Sequence, residues 1–456
     1  MNLSVLSRYK YIYFLFFFAL LFGCAKQNQE ETYKPEAPEW SKNVSIYEVN
    51  IRQYTEEGTF AAFEKHLPEL KEMGVGILWL MPIHPIGEVN RKGTLGSYYA
   101  VKDYNAINPE FGTADDFARL INKIHEMGMH VIIDWVANHT AWDNVWTKTH
   151  PEFFNRDSLG NFYPPVPDWH DVIDLNYDNS EMQSAMISAM SYWVKTFNID
   201  GYRCDVASMV PVEFWMKARK ALDSIKPVFM LAEANESYLH PAFDMTYDWP
   251  LLHLQNEIAQ GKKNADDLVN YLEEEQKEYR HEDYRMVFTT NHDENSWNGT
   301  VFERLDGGAE AFNILCGTIS GMPLIYSGQE AGLNKRLNFF EKDPIEWKEH
   351  RFRKIFERLN MLKLRNHALW NGKYGGKMEF INTNNENVFS FVRVKDGDKV
   401  FVIINLSGNE QKITFASNAA TGRYKNLFSK EDTIEFLGEL KFDLKPWGYK
   451  VFVKVH

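Results

Sequence analysis

From residue 45 onward, short apolar runs alternate with amphipathic stretches, and this alternation limits the possible folds more than any other feature of the chain. Runs such as GILWLM (76–81), MHVIID (129–134), PVFMLA (227–232) and MPLIY (Met322–Tyr326) are apolar at nearly every position. That pattern is expected of strands covered on both faces. Further strands are predicted at 45–51, 198–205, 242–247 and 285–290. Helical patterns fall between them at 60–73, 113–127, 181–197, 265–279, 309–319 and 350–364. The clearest places Phe117, Leu120, Ile121 and Ile124 on one face, with Thr113 and Asp116 in capping-box spacing. Strands alternating with helices imply a parallel sheet with helices on its faces. Eight such units predict an α/β fold, a closed (β/α)8 TIM barrel.

At 456 residues the chain exceeds what the barrel needs. Residues 139–176, after the third strand, are too long for an ordinary connection and rich in Trp, Asn, Pro and Asp, so they predict an excursion subdomain. Beyond about Trp370 the texture changes to β-rich runs (VFSFVRV, KVFVIINL, YKVFVKV) with Gly and Asn turns, which predicts a C-terminal all-β sandwich. The expected organisation is 1–23 signal peptide, 24–42 lipidated Cys and tether, 43–368 barrel, and 369–456 sandwich.

The N-terminal expectation rests on Arg8 and Lys10, an apolar run at 11–22, and Gly23-Cys24. The run is too short to span a bilayer and reads as a secretory signal. Its end resembles the lipobox of bacterial lipoproteins, which implies lipidation of Cys24 and anchoring on the periplasmic or cell-surface side, with plain secretion as the alternative. Cys204 and Cys316 sit in apolar surroundings and imply buried thiols without a disulfide framework. The net charge of −13 argues against a nucleic-acid partner. Thirteen Trp and 22 Tyr supply flat faces that could stack on sugars or simply pack.

Catalytic groups of such barrels gather at the C-terminal ends of the strands. Those ends here carry Tyr98-Tyr99, Asp134 to His139 (DWVANH), Arg203 and Asp205, Glu233, Asn291-His292-Asp293, and Tyr326 to Glu330. Arg203 and Asp205 are two apart on a strand and project to the same face, where the guanidinium should lower the carboxylate's pKa. By itself that pair reads more readily as an ion pair closing a strand. Several carboxylates converging on one mouth are costly to desolvate and repel one another, which favours chemistry over stabilisation.

The motifs DWVANH, GYRCD, AEAN around Glu233 and FTTNHD, with VIDLN (172–176) and GMPLIYSGQE (321–330), resemble in order and spacing those of glycoside hydrolase family 13, the α-amylase family. The resemblance runs from about Ser45 to the C-terminus. It implies Asp205 as nucleophile, Glu233 as acid and base with a raised pKa, and Asp293 as a group that binds sugar hydroxyls at the transition state. It further implies that Arg203 orients Asp205, that His139 and His292 hydrogen-bond the sugar being cleaved, and that Tyr99 stacks under it. Asp134 and Gln329-Glu330 are expected to brace the structure. Trp142, Trp146, Trp169 and Trp297 are candidates for outer subsites or for packing.

The sequence departs from the family at Ser208-Met209, where many members carry a Lys-His pair that contacts the next sugar and helps to hold calcium. Asn138 and Asp174 match the family's calcium donors, but a thioether is a poor ligand for a hard cation. No cofactor is expected to be required. The function these features imply is hydrolysis of α-1,4-glucosidic bonds in starch or maltooligosaccharides through a covalent glycosyl-enzyme. The same residues would serve a transglycosylase or disaccharide isomerase, and the fold alone would serve a glycan-binding protein. Nothing in the sequence indicates the oligomeric state.

Overall fold

A computed structural model of the protein describes residues 33–429 and 433–455. Cys24 and the predicted signal therefore lie outside the described residues. Among the described residues no helix is long and apolar enough to cross a membrane.

Eight parallel strands close into a barrel: β1 (Ile46–Val49), β2 (Ile77–Leu80), β3 (His130–Trp135), β4 (Gly201–Cys204), β5 (Phe229–Ala232), β6 (Met245–Tyr247), β7 (Tyr284–Val287) and β8 (Met322–Tyr326). Each pairs with its sequence neighbours and β8 pairs with β1, so no edge is left open. All eight overlap the strands predicted from the apolar runs, with β3 one residue longer at its end and β7 starting one residue earlier.

Side-chain alternation sorts the strand residues into two cores. Ile46, Ile77, Trp79, Ile132, Phe229 and Met286 fill the barrel interior. Their neighbours Tyr47, Leu78, Val131, Tyr202 and Met230 face the surrounding helices. Cys204 also faces outward; it and Cys316 are buried free thiols, as expected.

The helices follow the predicted faces. Ala114–Glu126 buries Phe117, Leu120, Ile121 and Ile124, and Thr113 and Asp116 form a reciprocal capping box. The helix expected at 60–73 is instead two segments, Phe60–Phe63 and Leu67–Glu72, joined by a 3-10 turn at Glu64–His66. Pro68 explains the break, because it lacks the N–H that a continuous helix would need there.

The excursion after β3 opens and closes on one antiparallel ribbon, in which His139–Ala141 pairs with Val172–Asp174. The ribbon carries His139 at the barrel mouth. Beyond the helix Arg351–Arg365 the chain forms a six-stranded antiparallel sheet and a separate two-stranded one. Phe401, Ile403, Phe415, Tyr424, Leu440 and Phe452 pack between the two sheets. Barrel and sheets belong to one compact unit, Pro35–His456.

One glycine matters for the site. Gly201 opens β4 with φ +151°, and a Cβ there would lie 1.9 Å from the Phe229 carbonyl oxygen. The missing side chain lets β4 and β5 approach closely enough to pair Gly201 with Phe229 and Cys204 with Ala232. That pairing places the residues following the two strands, Asp205 and Glu233, side by side.

Candidate active site

Arg203 is the centre of the mouth. It points into the barrel from β4, is fully buried, and meets carboxylates on both of its terminal nitrogens. Nη1 donates to Asp134 Oδ1 at 2.8 Å and to Asp205 Oδ1 at 3.0 Å, and Nη2 lies 3.0 Å from Glu233 Oε2. Nε donates to the Tyr247 hydroxyl at 3.1 Å, and the guanidinium sits 5.0 Å from the Trp79 ring centroid. One cation thus balances three acids that could not otherwise be buried together.

The backbone after Asp205 adds a further tie. Val206 adopts a left-handed conformation, φ 36° and ψ 49°, unusual for a β-branched residue. In that conformation its N–H donates to Glu233 Oε2 at 2.7 Å. Both contacts of Glu233 fall on Oε2, so Oε1 is left to carry a proton.

Burial and, next, the Asp293 charge raise the Glu233 pKa, against the pull of Arg203. This is the direction expected of a proton donor. Asp205 departs from expectation: its pKa is also raised, by burial and then by Glu233, although Arg203 opposes both. The net lowering anticipated from the Arg203–Asp205 spacing assumed a guanidinium devoted to one carboxylate. Shared among three acids in a buried site, it limits the rise without reversing it. Asp205 and Glu233 behave as a pair holding protons jointly.

Asp293 is set apart from them. Its side chain is 33% exposed, against 10% for Asp205 and 13% for Glu233, so it is the acid open to the cleft. Despite burial of the site around it, its pKa is lowered by His292, whose Nε2 is 3.2 Å away. His292 is gripped on its other side by Glu48, 2.5 Å from Nδ1. Burial disfavours its charge, yet Asp293 and Glu48 together hold it well above the ordinary imidazole value. His139 is the opposite case. Burial pushes it down to about 3, so it is neutral, with Nε2 4.0 Å from Asp205 Oδ2.

The remaining expectations sort clearly. The Tyr99 hydroxyl donates to Asp134 at 3.0 Å and lies 2.8 Å from His292 Nε2, and its ring stacks near those of His292 and Phe339. Asp134 also accepts from Trp79 Nε1 and, as a buried brace, does not line the cleft. Gln329 donates to Thr289 and Asn313, and Glu330 accepts from Tyr47, both below the mouth. Of the four tryptophans, Trp169 and Trp297 line the cleft. Trp146 packs on Tyr104 and Phe153 in the core, and Trp142 donates to the His170 carbonyl.

Sequence reasoning missed Glu48, Phe339, Phe340, Lys92 and Asp171. Glu48 had a signal, a lone carboxylate within the apolar strand SIYEVNI. The others sit on loops whose meeting depends on tertiary packing. Phe339, Phe340, Lys92 and Asp171 line a cleft of about 260 Å³ with Asp205, Glu233 and Asp293 in its wall, and Glu48 supports it from behind His292.

The positions matching the family's calcium donors do not fit the ion. Asp174 Oδ2 accepts from the Asn155 side-chain amide at 2.6 Å, and the same amide nitrogen donates to the Leu175 carbonyl at 3.2 Å. A hydrogen-bond donor thus occupies the side of Asp174 that a cation would need. Asn138 Nδ2 lies 3.3 Å from His139 Nδ1, and Met209 is exposed. Among the described residues no group of three or more His, Cys, Asp or Glu could hold a metal ion.

Known proteins resemble this chain over most of its length. The model of the α-amylase catalytic domain matches residues 41–171 and 157–399, and that of the maltogenic amylase C-terminal domain matches 378–451. The chain is 32% identical to the noncanonic maltogenic α-amylase AmyB of Thermotoga neapolitana, covering 91% of this chain and 100% of that one with a TM-score of 0.84. To an α-amylase of Lactobacillus plantarum it is 33% identical over the same shares, with a TM-score of 0.82. Alpha-amylase 3 of Dictyoglomus thermophilum is 25% identical, over 87% of this chain and 93% of that protein.

Proposed function

This chain belongs to the α-amylase family and is a glycoside hydrolase, and we propose that it cleaves α-1,4-glucosidic bonds in maltooligosaccharides or starch with retention of configuration. The observation that carries this reading is Arg203, which holds Asp205 and Glu233 on one guanidinium and so keeps a nucleophile and a proton donor on adjacent strand ends. In the first step Asp205 attacks C1 of the sugar seated against Tyr99, His139 and His292. Glu233 gives its Oε1 proton to the departing glycosidic oxygen as the C1–O bond breaks, and an ester forms between Asp205 and the sugar. In the second step the Glu233 carboxylate takes a proton from water, the water oxygen bonds to C1, and the ester releases Asp205.

Of the two acids, Asp205 is the better placed to be the ionised one. Its Oδ1 accepts directly from Arg203, whereas among the described residues both contacts of Glu233, with Arg203 Nη2 and the Val206 N–H, fall on Oε2 and leave Oε1 for the proton. Asp293, open to the cleft and kept ionised beside His292, is placed to accept sugar hydroxyls.

Product analysis on maltoheptaose, with the anomer followed by NMR and Asp205→Asn run in parallel, tests the reading. Short α-configured products that vanish in the variant are expected. Initial β-configured product would overturn it, and products longer than the substrate would move it to transglycosylation. The apolar run at 11–22 ending at Cys24 supports an exported, lipid-anchored enzyme. Labelled palmitate should enter the wild-type protein and not Cys24→Ala.

A further inference from the structure

Three loops meet over one flank of the cleft through residues that the catalytic scheme does not use. The loop after β2 carries Lys92, whose ammonium pairs with Asp171 at 2.9 Å and donates to the Asp168 carbonyl at 3.0 Å, both at the far end of the excursion. The same loop is fastened to the loop after β8. Leu95 N donates to the Phe340 carbonyl at 3.1 Å, and Thr94 bonds Glu341 through both its N–H and its hydroxyl. Gly93, at φ +63°, lets the two loops touch, since a Cβ there would lie 2.5 Å from Phe340 Cβ. Lys92, Asp171 and Phe340 all line the cleft. They form a continuous wall from the β8 loop through the β2 loop to the excursion.

The position of this wall follows from the barrel. The leaving group must lie at Glu233, after β5, because that residue protonates it. In the closed ring β5 stands opposite β1, and the walling loops follow β2 and β8, the two neighbours of β1, with the excursion reaching them from β3. The wall therefore stands on the other side of the reacting sugar from the leaving group, where the non-reducing portion of a glucan must lie. A chain threading through would have to break the Lys92–Asp171 bridge and leave the Asp171 carboxylate, only 5% exposed, without its cation.

We propose that this wall is an end stop: the enzyme reads glucans from the non-reducing end, with Lys92 and Asp171 offering the polar groups against which the terminal sugar's hydroxyls are placed. Lys92 is then the specificity-determining residue, and the substrate class is short maltooligosaccharides and free chain ends rather than internal bonds. The inference rests on the hydrolase reading given above.

The test uses an aryl maltoheptaoside, either free or capped by a cyclic acetal across two hydroxyls of its non-reducing sugar, with aryl-bearing products separated by chromatography. The native enzyme should prefer the free substrate by at least ~20-fold in kcat/KM, as expected when an intact polar wall rejects a bulkier end. Lys92→Ala should reduce the preference to below ~3-fold, and Lys92→Arg, which can still bridge to Asp171, should retain most of it. Should Lys92→Ala fail to fold, the first cuts of the native enzyme on oligosaccharides of increasing length decide. Cuts at a constant distance from the non-reducing end support the stop, and cuts scattered along the chain overturn it. Equal turnover of free and capped substrate by the native enzyme overturns the end stop alone, and no turnover of either overturns the hydrolase reading with it.

Discussion

Val206 and Glu233 are joined by a 2.7 Å hydrogen bond from the main-chain N–H of the first to Oε2 of the second. The residue that follows the proposed nucleophile thus fixes the proposed acid, and it does so from a left-handed conformation that a valine adopts only under constraint. Strain of this kind persists where the surrounding structure holds it. Here Gly201 at the start of β4 and Arg203 in its middle bring the two strand ends into contact. The acid and the nucleophile form one mechanical unit.

Glu233→Gln removes the proton but keeps the shape. Turnover of unactivated maltooligosaccharides should fall by roughly 10²–10⁴-fold, the usual worth of a general acid. A glycosyl fluoride, whose leaving group needs no proton, should still glycosylate Asp205, with fluoride expelled from C1, at a much less reduced rate. Stopped-flow release of fluoride checks this, and equal losses on both substrates would remove Glu233 from the acid role.

Gly201→Ala should fold poorly. Its Cβ would meet the Phe229 carbonyl oxygen at 1.9 Å, and the φ of +151° disfavours any side chain. Relieving the clash means parting β4 from β5, so a loss of more than ~4 kcal/mol is expected, in the range reserved for backbone incompatibility. Urea unfolding of the variant provides the measurement.

His84 makes stability depend on pH. Burial behind the mouth, among Tyr104, Trp135 and Trp193, pushes it down to about 4. It is neutral in the fold while the unfolded chain binds its proton below about 6.5, so the unfolded state holds more protons between the two values. Its contribution to stability therefore falls by about 1.4 kcal/mol per unit as pH drops from 6.5 towards 4, and levels off below. His84→Gln should lack this slope when its unfolding curves are compared with wild type across that range. Parallel curves would contradict the assignment.

Metal removal should change little. With the Asn155 amide donating to Asp174 and to the Leu175 carbonyl, a hydrogen-bond donor already holds the side of Asp174 that a cation would need. EDTA should leave Tm within about 1 °C, the shift that a loss of roughly 1 kcal/mol produces in a chain of this length. Asn155→Asp should lower Tm by setting two carboxylates face to face, and calcium should restore it. A fall of several degrees for the wild type in EDTA would show a metal that this donor set does not explain.

Much of the architecture was legible before any coordinates, because it depends on local periodicity. Apolar runs of strand length, amphipathic stretches of helix length and their eightfold alternation require a closed parallel sheet with helices outside. The capping box at Thr113 and Asp116 depends on neighbours three residues apart and was equally readable. So were Asp205, Glu233, Asp293, Arg203, His139, His292 and Tyr99 as candidates, since strand ends identify the mouth of a barrel and short motifs mark its residues.

Tertiary structure decided whatever depends on groups distant in sequence. Arg203 looked like the private partner of Asp205. Only the folded barrel brings Asp134 and Glu233 onto the same guanidinium, so the nucleophile's pKa rises where the pair spacing predicted a fall. Glu48 reaches His292 across 244 positions, and Lys92 reaches Asp171 across a cleft that no local pattern describes. The sequence by itself determined the barrel and the candidates for its catalytic groups, because those follow from local periodicity and from motifs at strand ends. The protonation of those groups and the wall beside them were settled by the fold, because electrostatics and loop contacts act through space among residues whose order along the chain does not place them together.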